Sequence, residues 1–359
     1  MTSRLLKDLQ EQIRAATAPF EVRGHGSKRF YGGEPRGEVL STAGLSGISS
    51  YEPSELVVTV QAGTPISELE KVLAAQGQHL AFEPPRINGE GTVGGMVASG
   101  LAGPARANAG GARDHVLGAT LLNGKGELMN FGGTVMKNVA GYDVSRLLAG
   151  SLGVLGLIAE VSLKVLPRPV VQATLRFDMD QAQALQQLNR WGGQPLPITA
   201  SAWWDGALVL RLAGAEGAVR SAFHKLGGEL IPDSLALPFW EGLRDQRDEF
   251  FVGAERAVSA GARLWRLSLP QTAPALKLPG EQLIEWGGAQ RWVTTSAPPA
   301  QMREAASSVG GHATLYRSQD KSSGVFAPLS PPLARIHQQL KLAFDPKGLF
   351  NPGRLYPDF

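Results

Sequence analysis

The sequence predicts an α+β protein of two domains, and three observations carry that reading. Up to Pro167-Arg168-Pro169, short β-branched segments alternate with glycine-rich loops and brief helical patterns. Beyond that break the element order becomes the one expected of an antiparallel sheet with helices on one face. Finally, 359 residues of which 43% are hydrophobic and 19% charged suffice for two cores. The domains are placed at residues 1–168 and 170–330, followed by a terminal helix and tail at 334–359.

The elements follow in order. MTSRLLKDLQEQIRAA sets Leu5, Leu6, Leu9, Ile13 and Ala16 at helical spacing, which predicts an amphipathic helix over 3–17. It lacks the apolar centre of a signal peptide, and no run approaches the ~20 residues of a membrane span. The apolar face of this helix is either a docking surface or packed on its own domain. Phe20–Arg23 reads as a short strand, and 56–60 as a buried one by its β-branched content. Thr64 is the expected N-cap of a helix running to Ala75, with Pro65 at its first position, Glu68 near the capping-box position and Gly77 as its stop. Val116–Leu122 enters a hairpin turn at Asn123-Gly124-Lys125-Gly126. Asp143 caps a short helix, and 158–166 alternates as a half-buried strand.

In the second domain the pattern predicts a strand at 170–177, a helix at 180–191 and a hairpin of Ile198–Trp204 with 207–212. A helix over Glu216–Leu226 and one long helical stretch over 235–252 come next. Strands at 264–269, 282–286 and 291–295, a helix at 299–309 and a strand at 312–316 complete the domain.

Composition removes several function classes. With no cysteine, the chain has no disulfide, no cysteine-ligated cluster and no thiol catalysis. Its six histidines are scattered, with no HxH or HxxxH pair, so no metal site is expected. A net charge of +3 without basic stripes gives no support to nucleic-acid binding. Redox chemistry here would need a bound organic cofactor.

The segment 89–111, GEGTVGGMVASGLAGPARANAGG, holds eight glycines and five alanines in 23 residues. It offers bare backbone that a large ligand can approach closely. Arg23-Gly24-His25-Gly26-Ser27-Lys28 is a second such loop, an anion nest to which Arg23, Ser27 and Lys28 add donors. It is neither a GxGxxG leading into a long helix nor a GK[ST] loop, and taken alone a structural glycine turn explains it equally well. Glu83-Pro84-Pro85 opens the longer loop, and Thr92, Gly94, Gly95, Ala98 and Ser99 continue it. Gly150, Gly153 and Gly156 recur every three residues before Ile158. Two such loops in one domain point to a dinucleotide held at two places.

In this order, RGHGSKRFYG, KNVAGYD, GSLGVLG and FDPKGLFNPGR resemble the PCMH-type FAD-binding domain of the vanillyl-alcohol oxidase and p-cresol methylhydroxylase superfamily. The closer resemblance is to its 2-hydroxyacid dehydrogenase branch, and within it to the short FAD-binding subunits of bacterial glycolate oxidases. It is strong over 20–168 and 340–357, and rests on element order alone in between.

The resemblance implies a two-lobed FAD-binding domain, a cap domain and a tail returning to the first domain. It implies that Gly24, His25, Gly26 and Ser27 hold the pyrophosphate, flanked by Arg23 and Lys28. Pro84, Thr92, Gly94, Gly95, Ala98 and Ser99 would line the other side, Gly153 and Ile158 would border the adenosine or flavin, and Asn351 and Arg354 would bring back the tail. Some members attach FAD covalently through a histidine at the position of Ser27, so non-covalent FAD is expected; His25 then reads as a loop residue.

The implied function is oxidation of glycolate, a small 2-hydroxy acid, to glyoxylate in a multi-subunit complex with a catalytic flavoprotein and an iron–sulfur subunit. The expected location is cytoplasmic, at most peripheral to the inner membrane through partners. The branch carries a GDGNxH-type segment; here the region reads Gly310-Gly311-His312 with a single histidine. Candidate catalytic residues are His312, Arg266 and Tyr142, with a structural role for His312 as the alternative. Arg263 and Arg266, flanking Trp265, are read as sharing one strand face and gripping a carboxylate. A self-sufficient 2-hydroxyacid dehydrogenase and a non-redox scaffold that keeps the FAD fold stand as the two alternatives.

Overall fold

The computed structural model describes residues 2–134 and 143–359. The chain divides into two compact units, one of Met1–Leu101, Gly111–Pro167 and Pro328–Phe359, the other of Ala102–Gly110 and Arg168–Ala327.

In the first unit, helix Thr2–Ala15 commits its apolar face to its own core. Leu9 and Ile13 are buried with Phe20, Leu40, Leu45, Leu157 and Phe350, and Leu5, Leu6 and Ala16 pack against that cluster. The docking role considered for this face is thereby corrected. Strand Phe20–Arg23 pairs in parallel with Glu38–Ser41.

A five-stranded antiparallel sheet runs in the spatial order Ile48–Glu52, Val57–Gln61, Leu157–Lys164, Val116–Leu122, Leu128–Gly132. Leu157–Lys164 is its centre, and six of its eight residues are buried, more than the half-buried alternation predicts. Neighbours on both edges account for this; even polar Ser162 is covered, its hydroxyl 2.9 Å from that of Thr59.

Helix Ile66–Ala75 starts one residue later than expected, with Pro65 in the N-cap position. The Thr64 hydroxyl is engaged elsewhere, accepting from the Gly47 N–H at 2.9 Å and donating to the Gly47 carbonyl. It therefore fastens a loop instead of capping the helix.

The C-terminal segment is fastened to the same unit by a buried lysine. Lys341, on helix Pro331–Phe344, donates to Asp345 Oδ2 at 2.8 Å and to the carbonyls of Val154 and Phe350 at 2.7 and 2.8 Å. Asp345 in turn accepts from the N–H groups of Leu349 and Phe350. Burial draws the Lys341 ammonium below its ordinary pKa, and the Asp345 carboxylate opposes this.

The second unit carries an eight-stranded antiparallel sheet. Its spatial order is Glu229–Ile231, Val171–Asp178, Ala207–Gly214, Ile198–Trp204, Glu281–Glu285, Gln290–Thr295, Arg263–Ser268, His312–Arg317. Helices cover both faces, which corrects the single-face expectation. Leu175 and Leu212 pack on Val219 and Ala222 of helix Glu216–Leu226, and Trp265, Val293 and Leu315 on Met302 and Ala306 of helix Pro299–Ser307. On the opposite face, Trp240 of helix Asp233–Asp245 donates to Thr174 Oγ1 at 3.0 Å, and Phe251 of helix Glu249–Ser259 meets Trp292 edge-on at 5.1 Å. Successive strand residues point to opposite sides, so Thr174 beside Leu175 and Trp292 beside Val293 report two covered faces.

The long helix expected over 235–252 is two helices, broken where Gln246 adopts a left-handed conformation with φ +56°. Asp248 starts the second by accepting from the Phe251 N–H at 3.1 Å. Burial first, then the nearby Glu249 and Glu281 charges, push the Asp248 carboxyl from 3.8 up to about 6. The folded state thus holds a proton between about pH 4 and 6 that the unfolded chain has released, and stability falls as pH rises through that window. Asp248→Asn keeps the cap and removes the buried charge. It should gain on the order of 2 kcal/mol at pH 7 and almost nothing at pH 4. Urea titrations at the two pH values check this, and an equal gain at both would exclude the buried charge as its cause.

Candidate functional site

The first unit contains an open cleft lined by Glu21 to Arg29, Thr92, Gly95, Ala98, Ser99, Leu152, Asn351 and Arg354. It adjoins a second chamber with which it shares Val22, Gly24, Gly95, Ala98, Leu152 and Asn351. Thr42, Gly94, Gly153, Gly156 and Ile158 line that second chamber.

One wall is the loop that follows strand Phe20–Arg23. The chain turns at Gly26, where φ is +75°, and the turn closes with the Arg29 N–H donating to the Gly26 carbonyl at 3.0 Å. None of the N–H groups of Gly24, His25, Gly26 and Ser27 donates to an acceptor among the described residues. Four consecutive donors are therefore left for a ligand.

The facing wall is helix Val93–Ser99, capped by Thr92 accepting from the Gly95 N–H at 3.2 Å. A Cβ on Gly24 would lie 2.3 Å from Thr92 Oγ1, so the two walls touch at their base. A Cβ on Gly95 would meet nothing within 4 Å except that same hydroxyl, at 3.1 Å.

Charge at the cleft is organised by Glu21, which is buried and accepts from both Arg23 (2.6 Å) and Arg29 (3.0 Å). Burial pushes its carboxyl up, and the two guanidinium groups outweigh this, holding it below the ordinary carboxylate value.

The tail closes the cleft. Asn351, with φ +45°, accepts from the Val22 N–H at 2.8 Å and donates to the Leu152 carbonyl at 2.6 Å. Arg354 donates to the carbonyls of Tyr31, Arg29 and Gly33. Burial lowers its guanidinium pKa, with Glu21 and Glu34 opposing.

Of the residues singled out in the sequence, Arg23 to Lys28, Thr92, Gly94, Gly95, Ala98, Ser99, Gly153, Ile158, Asn351 and Arg354 come together around these two chambers. Pro84 does not; it is buried in its loop, outside the lining. Tyr142, with most of KNVAGYD, lies outside the described residues. Sequence reasoning missed Glu21, Arg29, Thr42 and Leu152. The alternating charges of Glu21, Arg23 and Arg29 were the available signal for two of them.

His312 and Arg266 belong to the second unit. His312 opens strand His312–Arg317, paired with Ser268, and Arg266 stands two residues from Ser268 on the same face. Arg263 and Arg266 do not share a face, because residues three apart on a strand point to opposite sides. Arg263 reaches Asp320 at 3.8 Å, whereas the Arg266 guanidinium lies 5.8 Å from the centre of the Tyr316 ring. Desolvation of its ring by neighbouring groups, then the Arg266 charge, lower the pKa of His312, an otherwise exposed residue, from its ordinary value. A neutral imidazole beside a guanidinium can accept a proton from a hydroxyl whose carboxylate the guanidinium holds.

Residues 4–144 match the FAD binding domain family. The glycolate oxidase subunit GlcE of Escherichia coli (strain K12) is 47% identical over 354 residues, covering 99% of this chain and 97% of that protein. The glycolate oxidase subunit GlcD of Bacillus subtilis (strain 168) is 32% identical over 160 residues, 44% of this chain and 34% of that one. Among solved structures, alkyldihydroxyacetonephosphate synthase superposes with a TM-score of 0.62 at 16% identity, covering 98% of this chain and 74% of that one. That last likeness is one of fold.

Proposed function

The chain belongs to the FAD-binding family that includes the glycolate oxidase subunit GlcE, and on that premise we propose that it is the FAD-binding subunit of a complex oxidising glycolate to glyoxylate. The observation that carries the cofactor assignment is the loop Gly24–Ser27, whose four undonated N–H groups face a helix of small residues. That donor set fits a pyrophosphate, with Arg23, Ser27 and Lys28 adding charge and hydroxyl donors. Gly94, Gly95, Gly153 and Ile158 would border the rest of the dinucleotide, and Asn351 and Arg354 would keep the tail closed over it. Ser27 offers no imidazole for a covalent link, so the FAD is held non-covalently. Bound FAD supplies the acceptor for a hydride from the hydroxyl-bearing carbon.

The remaining work falls to side chains. Arg266 would hold the substrate carboxylate and His312 would take the hydroxyl proton. Absence of cysteine assigns any cysteine-bound iron–sulfur cluster to another subunit. The partners are therefore a catalytic flavoprotein of the GlcD kind and an iron–sulfur subunit, and the complex works on the cytoplasmic side. No helix among the described residues is long and apolar enough to cross a membrane.

The test is an anaerobic visible spectrum of the purified chain, reconstituted with FAD, before and after glycolate. A flavin spectrum that bleaches, alone or once the partner subunits are added, is the expected result. Failure to take up FAD would overturn the cofactor assignment. A flavin that no 2-hydroxy acid reduces, even in the complex, would replace the enzyme reading with a scaffold.

A further inference from the structure

A polar row crosses four strands of the second unit on one face of its sheet. Glu285 pairs with Gln290, Gln290 with Ser268, and Ser268 with His312. Directly opposed residues of antiparallel strands project to the same side with Cβ atoms about 5 Å apart, so the four side chains stand in file. Exposure rises along it: Glu285 and Gln290 are buried, Ser268 is half-buried and His312 is exposed.

The buried end is fixed. Glu285 Oε2 accepts from Gln290 Nε2 at 3.0 Å and from Trp292 Nε1 at 2.6 Å. A carboxylate can only accept, so the amide nitrogen of Gln290 must face it and the amide oxygen must face elsewhere. That oxygen, Gln290 Oε1, is buried and has no hydrogen-bond partner among the described residues. An empty buried acceptor is destabilising, which calls for a donor at this point. The next group in file is the Ser268 hydroxyl.

We propose that Glu285, Gln290 and Ser268 are positioning residues for His312, forming a hydrogen-bonded chain that engages its imidazolium N–H once it has taken the substrate hydroxyl proton. The proposal rests on the reading of His312 as proton acceptor. One link, Gln290 Nε2–H to the Glu285 carboxylate, is already made; with His312 protonated, its N–H would donate to Ser268 Oγ and the Ser268 O–H to the unpartnered Gln290 Oε1, so that all three donate in one direction. The proton stays on the imidazole, and the aligned dipoles end on a buried negative charge. This is the logic by which a buried acid orients a catalytic histidine, lengthened by an amide and a hydroxyl. Arg266, on the neighbouring strand, is the charged group that opposes protonation of His312, and the chain counters it. Helix Pro299–Ser307 covers the opposite face of the strand, against Ala313 and Leu315.

The test follows the His312 imidazole by nitrogen-15 NMR in the full chain, its signal assigned with His312→Gln. Gln290→Leu and Ser268→Ala should each lower its titration midpoint by about one pH unit, tenfold in proton affinity. Ser268→Thr, which keeps the hydroxyl, should leave it in place. A midpoint unmoved by both substitutions overturns the proposal, since a purely structural row would not shift it. If Gln290→Leu does not fold, Ser268→Ala, at a half-buried position, decides alone. In the assembled complex, a His312→Gln protein that bleaches with glycolate as fast as the parent overturns instead the role of His312.

Discussion

Gly95→Val will give a folded but colourless protein. Gly95 lies on the wall shared by both chambers, and a Cβ there meets only the Thr92 hydroxyl, at 3.1 Å. The added side chain therefore grows into the cleft and not into the protein's own packing, so the fold tolerates it while the cofactor does not. Losing the close approach of one dinucleotide wall should weaken FAD at least ~100-fold, or about 2.7 kcal/mol. Far-ultraviolet circular dichroism should match the parent, and the flavin absorbance should vanish after gel filtration. Neighbouring glycines behave differently: a Cβ on Gly94 would lie 2.7 Å from the Ala62 Cβ, and one on Gly33 would lie 2.2 Å from the Gly353 carbonyl oxygen. Substitutions there should damage the fold itself. Full FAD occupancy in Gly95→Val would mean that the cofactor does not use this wall.

Lys341→Met is the second large effect, and it acts far from any ligand. The ammonium serves the Asp345 carboxylate and two carbonyls, Val154 and Phe350, and both side chains are nearly inaccessible. Methionine fills much of the volume but leaves Asp345 charged, buried and unpaired. Breaking such a pair typically costs about 3–5 kcal/mol. The tail that Asp345 organises carries Asn351 and Arg354, so the same substitution should lower FAD retention as well. Differential scanning fluorimetry with and without FAD checks both parts. A melting temperature within about 1 °C of the parent would show that the buried pair contributes nothing net.

Much of this was legible because it is local. Val116–Leu122 follows from the hairpin turn that ends it and Glu216–Leu226 from its helical pattern, and they occur with those bounds. The glycine loops were legible because bare backbone has few other uses at that density. What stayed hidden depends on partners distant in sequence. Thr64 has the chemistry of a cap, but Gly47 claims its hydroxyl. The break at Gln246 has no glycine or proline to mark it: a glutamine takes the left-handed cap position, held by Gln246 N–H on the Leu243 carbonyl and Arg247 N–H on the Gly242 carbonyl. Helices on both faces of the large sheet could not be read from strands whose burial on each side is set by elements further along the chain. Glu21 and Leu152 joined the cleft unannounced because only the fold brings them to Gly24 and Asn351.

The closing of the cleft by Asn351 also sets an order of events in time. Its side chain answers the Val22 N–H across 329 positions of sequence. During synthesis the glycine loop is made first, and the asparagine that braces it follows 329 residues later, about 20–70 s of elongation. The braced cofactor slot thus requires both segments to have been made. A nascent polypeptide halted before Asn351 would present an open trough in place of a closed berth.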